Sequence, residues 1–164
     1  MRYVYCPLCG AKLVDREIGD EGIMPYCERC EKPMWDTFAT SVIVAVVNEY
    51  NEVALLRQGY VSKDTYVCVA GVMKMGESAE DAVIREVKEE IGQKVESLEY
   101  IRSYPYEKKD MLMLGFKATV KKQDLKLSCE VDSARWVKYD DALSYLREGS
   151  IASQLVKAVT EKKS

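Results

Sequence analysis

The sequence predicts an α/β sandwich, because strand-like segments stand on both sides of a segment with helical periodicity. The clearest strand is the β-branched run "SVIVAVVNEY" at 41–50, which has the length and composition of a buried central strand. The clearest helix extends from Ser78, which can cap its first turn, to Ile91, and Gly92 follows as a stop signal. A mixed sheet covered by helices is therefore expected, and a helical bundle is not.

The other elements follow from similar signals in chain order. Asn51 and Glu52 predict a turn into a returning strand at 53–58, and so a hairpin. A further strand at 65–71 ends at Gly71. The remaining expected elements are strands at 96–104, 111–120 and 133–139, a helix that runs from its capping residue Asp140 to 148, and a last helix over 150–163.

The composition limits the class of protein. The 164 residues are 48% hydrophobic and 31% charged, which is typical of one folded domain with a small appendage. A net charge of −3 gives no long-range attraction for nucleic acid or anionic lipid. The chain shows neither an apolar run of membrane-spanning length nor the apolar stretch of a secretion signal, so we expect a cytoplasmic protein. The absence of histidine excludes Ser-His-Asp and Cys-His nucleophilic machinery and leaves acid–base chemistry to carboxylates, lysine or tyrosine.

Four of the six cysteines form two C-x2-C pairs, whose spacing fits a tetrahedral site with four thiolates around zinc. The turn within the first pair is tight, and Gly10 tolerates the positive φ that such a turn needs. Two coincidental pairs or a redox dithiol are the alternatives. Four thiolates leave no open coordination position, so the zinc would be structural. The expected ligands are Cys6, Cys9, Cys27 and Cys30.

This expected zinc ribbon occupies 1–36, and the main domain occupies 37–164. Acidic residues outnumber basic residues in the ribbon, so we expect it to stabilise or dock rather than to bind phosphates. The two remaining cysteines, Cys68 and Cys129, lie among apolar residues and are predicted to be buried core thiols.

Three glutamates share one side of the predicted helix. Glu86, Glu89 and Glu90 are spaced so that their like charges repel, and two lie near the helix C-terminus, where the helix dipole disfavours them. The basic residues Arg85 and Lys88 are expected to point elsewhere. A hard divalent cation such as Mg²⁺ would explain the cluster, and a solvated acidic face is the alternative. An apolar stripe on this helix is expected to face the core: Val83, Ile84, Val87 and Ile91.

Around this helix the sequence resembles the Nudix box, G-x5-E-x7-R-E-U-x-E-E-x-G-U, in which U is a bulky aliphatic residue. The segment from Gly71 to Gly92 matches every position, and only the last position differs, where Gln93 stands. The resemblance implies a Nudix α/β/α sandwich in which the box forms a loop, a helix and a loop. It also implies hydrolysis of a nucleoside diphosphate linked to another group, with Mg²⁺ or Mn²⁺ as the catalytic cofactor.

The resemblance also implies roles for the matching residues. Arg85 would orient the catalytic glutamate, Glu89, through a salt bridge in which Glu77 takes part. Gly71, near the substrate, would let the loop backbone turn sharply. Lys74 stands where relatives often have an acidic residue, and it either faces the substrate's phosphates or is an exposed loop lysine. The implied metal ligands are Glu86, Glu89 and Glu90.

A zinc ribbon ahead of a Nudix domain resembles the layout of the NADH pyrophosphatase (NAD-cap decapping) family. That family's downstream signature, S-Q-P-W-P-F-P-x-S, is partly kept in "SYPYEKKD" at 103–110, where the aromatic Tyr106 fits and 107–109 departs. Glu130, in "EVDSARW", resembles the position of an additional glutamate near the metals. It would be a fourth ligand or the base, and a surface charge is the alternative.

The substrate stays open between NAD(H), ADP-ribose, another dinucleotide and a nucleoside triphosphate. The resemblance implies a homodimer, and a capped RNA end is the one nucleic acid expected as a partner. A non-catalytic nucleotide-sensing or docking module is the alternative function; a zinc-ribbon nucleic-acid binder is disfavoured by the acidic ribbon. Four tyrosines have the flat face that stacks on a base, although any single one is more often structural: Tyr60, Tyr66, Tyr104 and Tyr106.

Overall fold

A computed structural model of the chain describes residues 3–59 and 64–161. The chain forms two compact units, Met1–Ala39 with Lys108–Asp110, and Thr40–Glu107 with Met111–Ser164. Tyr60, one of the tyrosines considered for base stacking, lies outside the described residues.

The first unit is a small antiparallel sheet of three strands in the order β1-β2-β3. A short 3-10 turn, Gly19–Glu21, joins the first two strands. The buried residues described in this unit are Cys6, Pro25, Cys27 and Met34, so sulfur-containing side chains make up much of its core. The strands are β1 (Val14–Glu17), β2 (Ile23–Cys27) and β3 (Lys32–Pro33).

The second unit contains a six-stranded sheet and three helices. Five strands follow the order β7-β8-β4-β5-β9, and β6 pairs with β4. The bounds of the strands are β4 (Ala39–Asn48), β5 (Glu52–Arg57), β6 (Val69–Val72), β7 (Val95–Tyr106), β8 (Met111–Val120) and β9 (Ser133–Lys138). The helices are α1 (Ala79–Ile91), α2 (Tyr139–Tyr145) and α3 (Ile151–Thr160).

Strand β4 shows why the helices lie on both faces of the sheet. Its even-numbered valines, such as Val44, pack in one apolar cluster with Val83 and Val87 of α1. Its odd-numbered residues, such as Ile43, pack in another cluster with Leu155 of α3. Because successive side chains of a strand point to opposite faces, a continuous apolar run needs a helical layer on each side. The predicted α/β/α sandwich is confirmed.

Several expectations at the level of single elements are wrong. The strand expected at 65–71 is shorter in the structure, where β6 covers Val69–Val72. Val67 lies outside it and forms an isolated bridge to Leu56. Helix α2 begins one residue early, at Tyr139, so Asp140 lies in its first turn and does not cap it. Cys129 is exposed, whereas Cys68 is buried as expected.

Among the described residues, no helix is both long and apolar enough to cross a membrane.

Candidate functional site

Helix α1 is fixed at both ends by local contacts. Ser78 Oγ accepts a hydrogen bond from the Asp81 amide at 3.1 Å and donates one to the Asp81 carboxylate at 2.7 Å. At the other end, Gly92 adopts φ 68° and donates its amide proton to the Lys88 carbonyl. The expected start and stop signals are therefore confirmed. The second half of the helix carries the glutamates, and its burial differs from the prediction at Ile84, which is 45% exposed.

Arg85 joins the acidic residues of the site. Its Nε and Nη2 atoms donate to the two carboxylate oxygens of Glu77 at 2.6 and 2.9 Å, a bidentate ion pair. Its Nη1 donates to Glu86 Oε1 at 2.6 Å and to Glu89 Oε2 at 3.1 Å. The expectation that Arg85 points away from the glutamates is wrong, because these contacts place its guanidinium between them. The salt bridge with Glu77 that the resemblance implied is present.

Glu77 extends this arrangement into the loop before the helix. Its Oε2 also accepts a hydrogen bond from the Lys74 amide at 2.9 Å. The hydrogen bonds from Arg85 and then from this amide lower the pKa of Glu77 to about 2, so the carboxylate stays charged. The hydrogen bonds to Glu77 and then to Glu86 and Glu89 raise the pKa of the Arg85 guanidinium. The Lys74 side chain is exposed, which leaves both interpretations of that lysine open.

Gly71 contributes by having no side chain. It lies in β6, opposite Val42 of β4, and its φ is not in the left-handed region, so the expectation that it makes a sharp turn is wrong. A Cβ atom at this position would occupy the space of the Glu86 carboxylate. The glycine therefore permits close approach of a buried glutamate to the strand.

Glu90 is the most buried of the helix glutamates, with 4% of its surface exposed. Its Oε1 accepts a hydrogen bond from Gln58 Nε2 at 2.8 Å, and its Oε2 meets no donor in good hydrogen-bond geometry among the described residues. The Ala70 backbone also lies close enough to the carboxylate to lower its pKa, but less than burial raises it. Burial, followed by the charges of Glu86 and Glu130, raises the pKa of Glu90 to about 7. Gln58 was missed by sequence reasoning; the available signal is a polar side chain directly after a buried strand.

The glutamates are held by different partners and do not form a tight cluster. Glu89 is half-exposed, with 54% of its side chain accessible, and it contacts Arg85. Among the described residues, only the four paired cysteines form a group of three or more ligand-type side chains whose ligand atoms lie within 4.8 Å of one another. Arg85 contacts Glu86 and Glu89, whereas Gln58 contacts Glu90.

Glu130 lies beside a surface cavity of about 490 Å³, which is also lined by Gly59, Cys129 and Asp132. The Asp132 carboxylate accepts a hydrogen bond from the Gly59 amide at 2.7 Å and so fastens one wall. The charge of Glu130 contributes to the raised pKa of Glu90, after burial and the charge of Glu86. The side chain of Glu130 is exposed, and its role as ligand or base remains a prediction.

The tyrosines considered for base stacking differ in how deeply they are buried. Tyr104 is 3% exposed, so it is not available to stack on a base. Tyr66 packs edge-to-face on Tyr145 of α2, with ring centroids 5.6 Å apart. Tyr106 is partly buried at the end of β7 and packs against the apolar cluster that contains α3. Of the described candidates, Tyr66 and Tyr106 keep part of the ring accessible.

The four paired cysteines form a separate centre within the first unit. The sulfur of Cys6 lies 3.9 Å from that of Cys30, and the sulfur of Cys9 lies 3.5 Å from that of Cys27. A disulfide would need about 2.05 Å, whereas the edge of a tetrahedron of thiolates around zinc is about 3.8 Å. Hydrogen bonding to Cys9 and burial raise the pKa of Cys30 to about 12, so a bound cation would be needed to hold four thiolates together. This donor set could hold a metal ion.

The sequence of this chain is similar to known Nudix proteins. The NUDIX domain family model matches residues 37–158. A NAD-capped RNA hydrolase NudC from Pseudomonas syringae pv. tomato is 34% identical over 161 residues, covering 98% of this chain and 56% of that protein. The Escherichia coli NAD-capped RNA hydrolase NudC is 30% identical over 153 residues, covering 93% of this chain and 58% of that protein. The chain therefore spans somewhat more than half the length of these curated relatives.

Solved structures show the same fold. A NUDIX hydrolase from Nitrosomonas europaea superposes with a TM-score of 0.74 at 18% identity, covering 99% of this chain and 92% of that one. The NUDIX domain of Shewanella oneidensis NrtR, complexed with ADP ribose, superposes with a TM-score of 0.69 at 14% identity, covering 85% of this chain and 94% of that one. The family model covers most of the chain, and three carboxylates of the box, Glu77, Glu86 and Glu89, contact Arg85; the chain belongs to the Nudix family.

Proposed function

We propose that this chain is a Mg²⁺-dependent pyrophosphohydrolase that cleaves the diphosphate of a nucleoside diphosphate derivative, with NAD(H) or an ADP-ribose-like compound as the substrate. One observation carries this proposal. Glu90 is buried with an oxygen that lacks a donor among the described residues, beside Glu86 and near Glu130. A carboxylate that is buried near other negative charges is stabilised by a bound cation, so its burial favours a cation site over a solvated acidic face. The names of the NudC relatives support the choice of substrate.

The residues of the box have distinct parts in this proposal. Glu86, Glu89 and Glu90 would hold Mg²⁺ or Mn²⁺, with Glu130 as a further ligand or as the base. The ion, when bound, neutralises charge on the diphosphate and lowers the pKa of a bound water. Arg85 keeps the carboxylates of Glu86 and Glu89 at fixed positions, because the bidentate pair with Glu77 fixes its own guanidinium.

The substrate would be held by residues outside the acidic cluster. Lys74 would bind phosphate oxygens; in support of this, its side chain is exposed and its backbone amide donates to Glu77. Tyr106 would stack on a base, and the backbone at Gly71 would lie near the diphosphate. Arg85 and Glu77 are positioning residues in this scheme, whereas Glu89 and Glu130 are the catalytic carboxylates.

The second metal in the proposal is a structural zinc in the ribbon at 1–36, ahead of the Nudix domain at 37–164. Cysteine sulfurs with tetrahedral spacing are the ligands that zinc prefers. Reduced thiols of this kind belong to a cytoplasmic protein. The proposed partners are a small nucleotide, a capped RNA end as the only nucleic acid, and a second copy of the chain in a homodimer.

A product screen tests the activity. The protein is incubated with Mg²⁺ and NADH, ADP-ribose, dATP or an RNA with a 5′ NAD cap, and mononucleotide products are separated by chromatography. Cleavage of NADH into AMP and reduced nicotinamide mononucleotide, or of ADP-ribose into AMP and ribose 5-phosphate, is expected, together with loss of turnover in Glu89→Gln. Full activity in that variant would contradict the assignment of Glu89. Binding of ADP-ribose without turnover of any compound would instead favour the nucleotide-sensing alternative.

A further inference from the structure

Gln58 makes a buried contact with the acidic helix that the box pattern does not include. It follows directly after β5, it is 3% exposed, and its Nε2 lies 2.8 Å from Glu90 Oε1. Both partners are almost fully buried, and 32 residues separate them in the chain. An ionised carboxylate only accepts hydrogen bonds, so the amide nitrogen, and not the amide oxygen, must face it.

The chemistry of this donor differs from that of Arg85. Glu86 and Glu89 share one guanidinium, which offsets part of their negative charge. Glu90 receives its hydrogen bond from a neutral amide, so the amide does not offset the negative charge of the ionised carboxylate. An arginine or lysine at position 58 would satisfy the same oxygen but would also repel a cation placed beside it.

The contact also distinguishes the two oxygens of Glu90. Oε1 is occupied by Gln58, whereas Oε2 is buried and has no partner among the described residues. A hydrogen bond to one oxygen restricts rotation of the carboxylate about its last bond, so the orientation of the other oxygen is fixed as well. Partners of this kind orient metal ligands in many metal sites.

We infer that Gln58 is a positioning residue for the catalytic metal: it holds Glu90 Oε1 so that Oε2 is presented to Mg²⁺ with its charge intact. This inference rests on the assignment of Glu90 as a ligand in the proposed function. If Gln58 served only to satisfy a buried carboxylate, its loss would reduce stability but would leave the affinity for a metal ion unchanged. Metal affinity is therefore the measurement that separates the two roles.

The test uses Gln58→Met, because methionine is unbranched, has a similar length and donates no hydrogen bond. The matched control is Gln93→Met. Gln93 is also buried, at 1% exposure, but its amide donates to the backbone carbonyls of Ile91 and Asp124. Free Mn²⁺ is followed by electron paramagnetic resonance as each full-length protein is titrated, without nucleotide, and melting curves show that each variant is folded.

Gln58→Met is expected to raise the dissociation constant for Mn²⁺ by about 10- to 100-fold, the usual effect of removing a residue that orients a metal ligand. Gln93→Met should change it by less than about 2-fold, because its amide bonds to carbonyl groups. In a Glu90→Gln background, Gln58→Met should cause no further loss, since the residue acts through Glu90. Should Gln58→Met fail to fold, Gln58→Asn, whose amide is one methylene too short, takes its place.

Three results would overturn the inference: unchanged Mn²⁺ affinity in Gln58→Met, an equal loss in the Gln93→Met control, or an undiminished effect of Gln58→Met in the Glu90→Gln background. A wild-type protein that binds no Mn²⁺ would overturn it as well. Failure of the proposed function gives a different pattern. If the protein binds Mn²⁺ and Gln58→Met weakens that binding, but no nucleotide is cleaved, the positioning role stands and the hydrolase proposal falls.

Discussion

The charge of Glu90 is poorly balanced by its surroundings. The carboxylate is 4% exposed, its hydrogen-bonding neighbours are the neutral Gln58 amide and the Ala70 backbone, and the charges of Glu86 and Glu130 act on it. Burial without a cation destabilises a charged group, and the group responds by holding its proton to higher pH. In the absence of a divalent ion, this one residue therefore destabilises the folded state at neutral pH.

Glu90→Gln is accordingly expected to stabilise the protein when no Mg²⁺ is present. The pKa of Glu90 is raised from 4.5 to about 7, so the wild-type protein loses folding free energy as the pH rises through that interval. The gain in the variant should be near zero below the lower value and reach up to about 3 kcal/mol above the higher one. Urea unfolding at several pH values, in buffer without added divalent ions, measures the difference.

Glu89→Gln serves as the control in the same series. Its side chain is 54% exposed, so its removal should change the free energy of unfolding by less than about 1 kcal/mol. A gain in Glu90→Gln that does not vary with pH would show that Glu90 is not a buried, titrating carboxylate.

Gly71→Ala tests the close approach of Glu86 to the strand. Because the new Cβ would occupy the space of the Glu86 carboxylate, that side chain must move, at a cost of about 1–3 kcal/mol for overpacking. We expect at least about a 10-fold weaker affinity for Mn²⁺, measured by titration of the folded variant. Gly76→Ala is the control. Gly76 has φ 79° and open space around its Cβ position, so alanine there would bear backbone strain without displacing a glutamate.

Equal loss of Mn²⁺ affinity in the two glycine variants would contradict the steric explanation for Gly71. It would show that any strain in the segment around the helix disturbs the metal site.

At the level of elements, helix α1 shows what sequence patterns can predict. Its ends depend on contacts between neighbours in the chain, such as the cap by Ser78 and the left-handed Gly92, so they were predicted correctly. The direction of the Arg85 side chain depends on Glu77, in the loop before the helix. Helical periodicity alone does not include that contact and predicted the wrong direction. The exposure of Ile84 also depends on tertiary packing, because the cluster around β4 takes in Ala82, Val83, Val87 and Ile91 of α1 but not Ile84.

The same limit applies to residues that reach the site from other strands. Gln58 lies at the end of β5, and only the pairing of strands in the sheet brings it to α1. Gly71 was identified from the box, but its physical role was not, because a strand glycine is needed only where another group approaches. A motif thus predicts which residues matter, whereas the sheet decides how they contact one another.

The hairpin of β4 and β5 carries a second buried carboxylate, which has the opposite electrostatics to Glu90. Glu52 accepts hydrogen bonds from Lys122 at 2.7 Å and from Asn48 at 2.8 Å, and it pairs with Lys138 at 3.3 Å. The hydrogen bond from Lys122 is the largest cause that lowers the pKa of Glu52 to about 2. This cluster closes the turn of the hairpin and joins it to the end of β9.

Glu52→Gln is expected to destabilise the protein at neutral pH by about 1 kcal/mol, since both lysines are partly exposed and solvent screens their charges. The folded-state pKa lies below the unfolded value of 4.5. The stabilisation is therefore present above pH 4.5 and is lost as the pH falls toward 2. Unfolding curves of both proteins at pH 7 and pH 3 measure this. A difference that grows on acidification would contradict the assignment.

At the scale of the whole molecule, the two units depend on different sources of stability. The second unit buries two large apolar clusters on the faces of its sheet. Among its described residues, the first unit buries four, Cys6, Pro25, Cys27 and Met34, with a few partly buried side chains around them. An apolar core of this size does not offset the conformational entropy of the chain, so small units of this kind generally need a metal or disulfides.

Loss of zinc is therefore expected to unfold the first unit and to leave the second folded. Cys27→Ser removes a fully buried ligand, and the variant should contain less than one zinc ion per chain by mass spectrometry, whereas wild type should contain one. Cys129→Ser is the matched control, because that thiol is exposed and lies outside the cluster of four sulfurs. Melting curves should show an early transition in Cys27→Ser alone, since only the ribbon loses its ligand. A wild-type protein with no bound zinc, and with the same melting curve as Cys27→Ser, would show that the four sulfurs form no metal site.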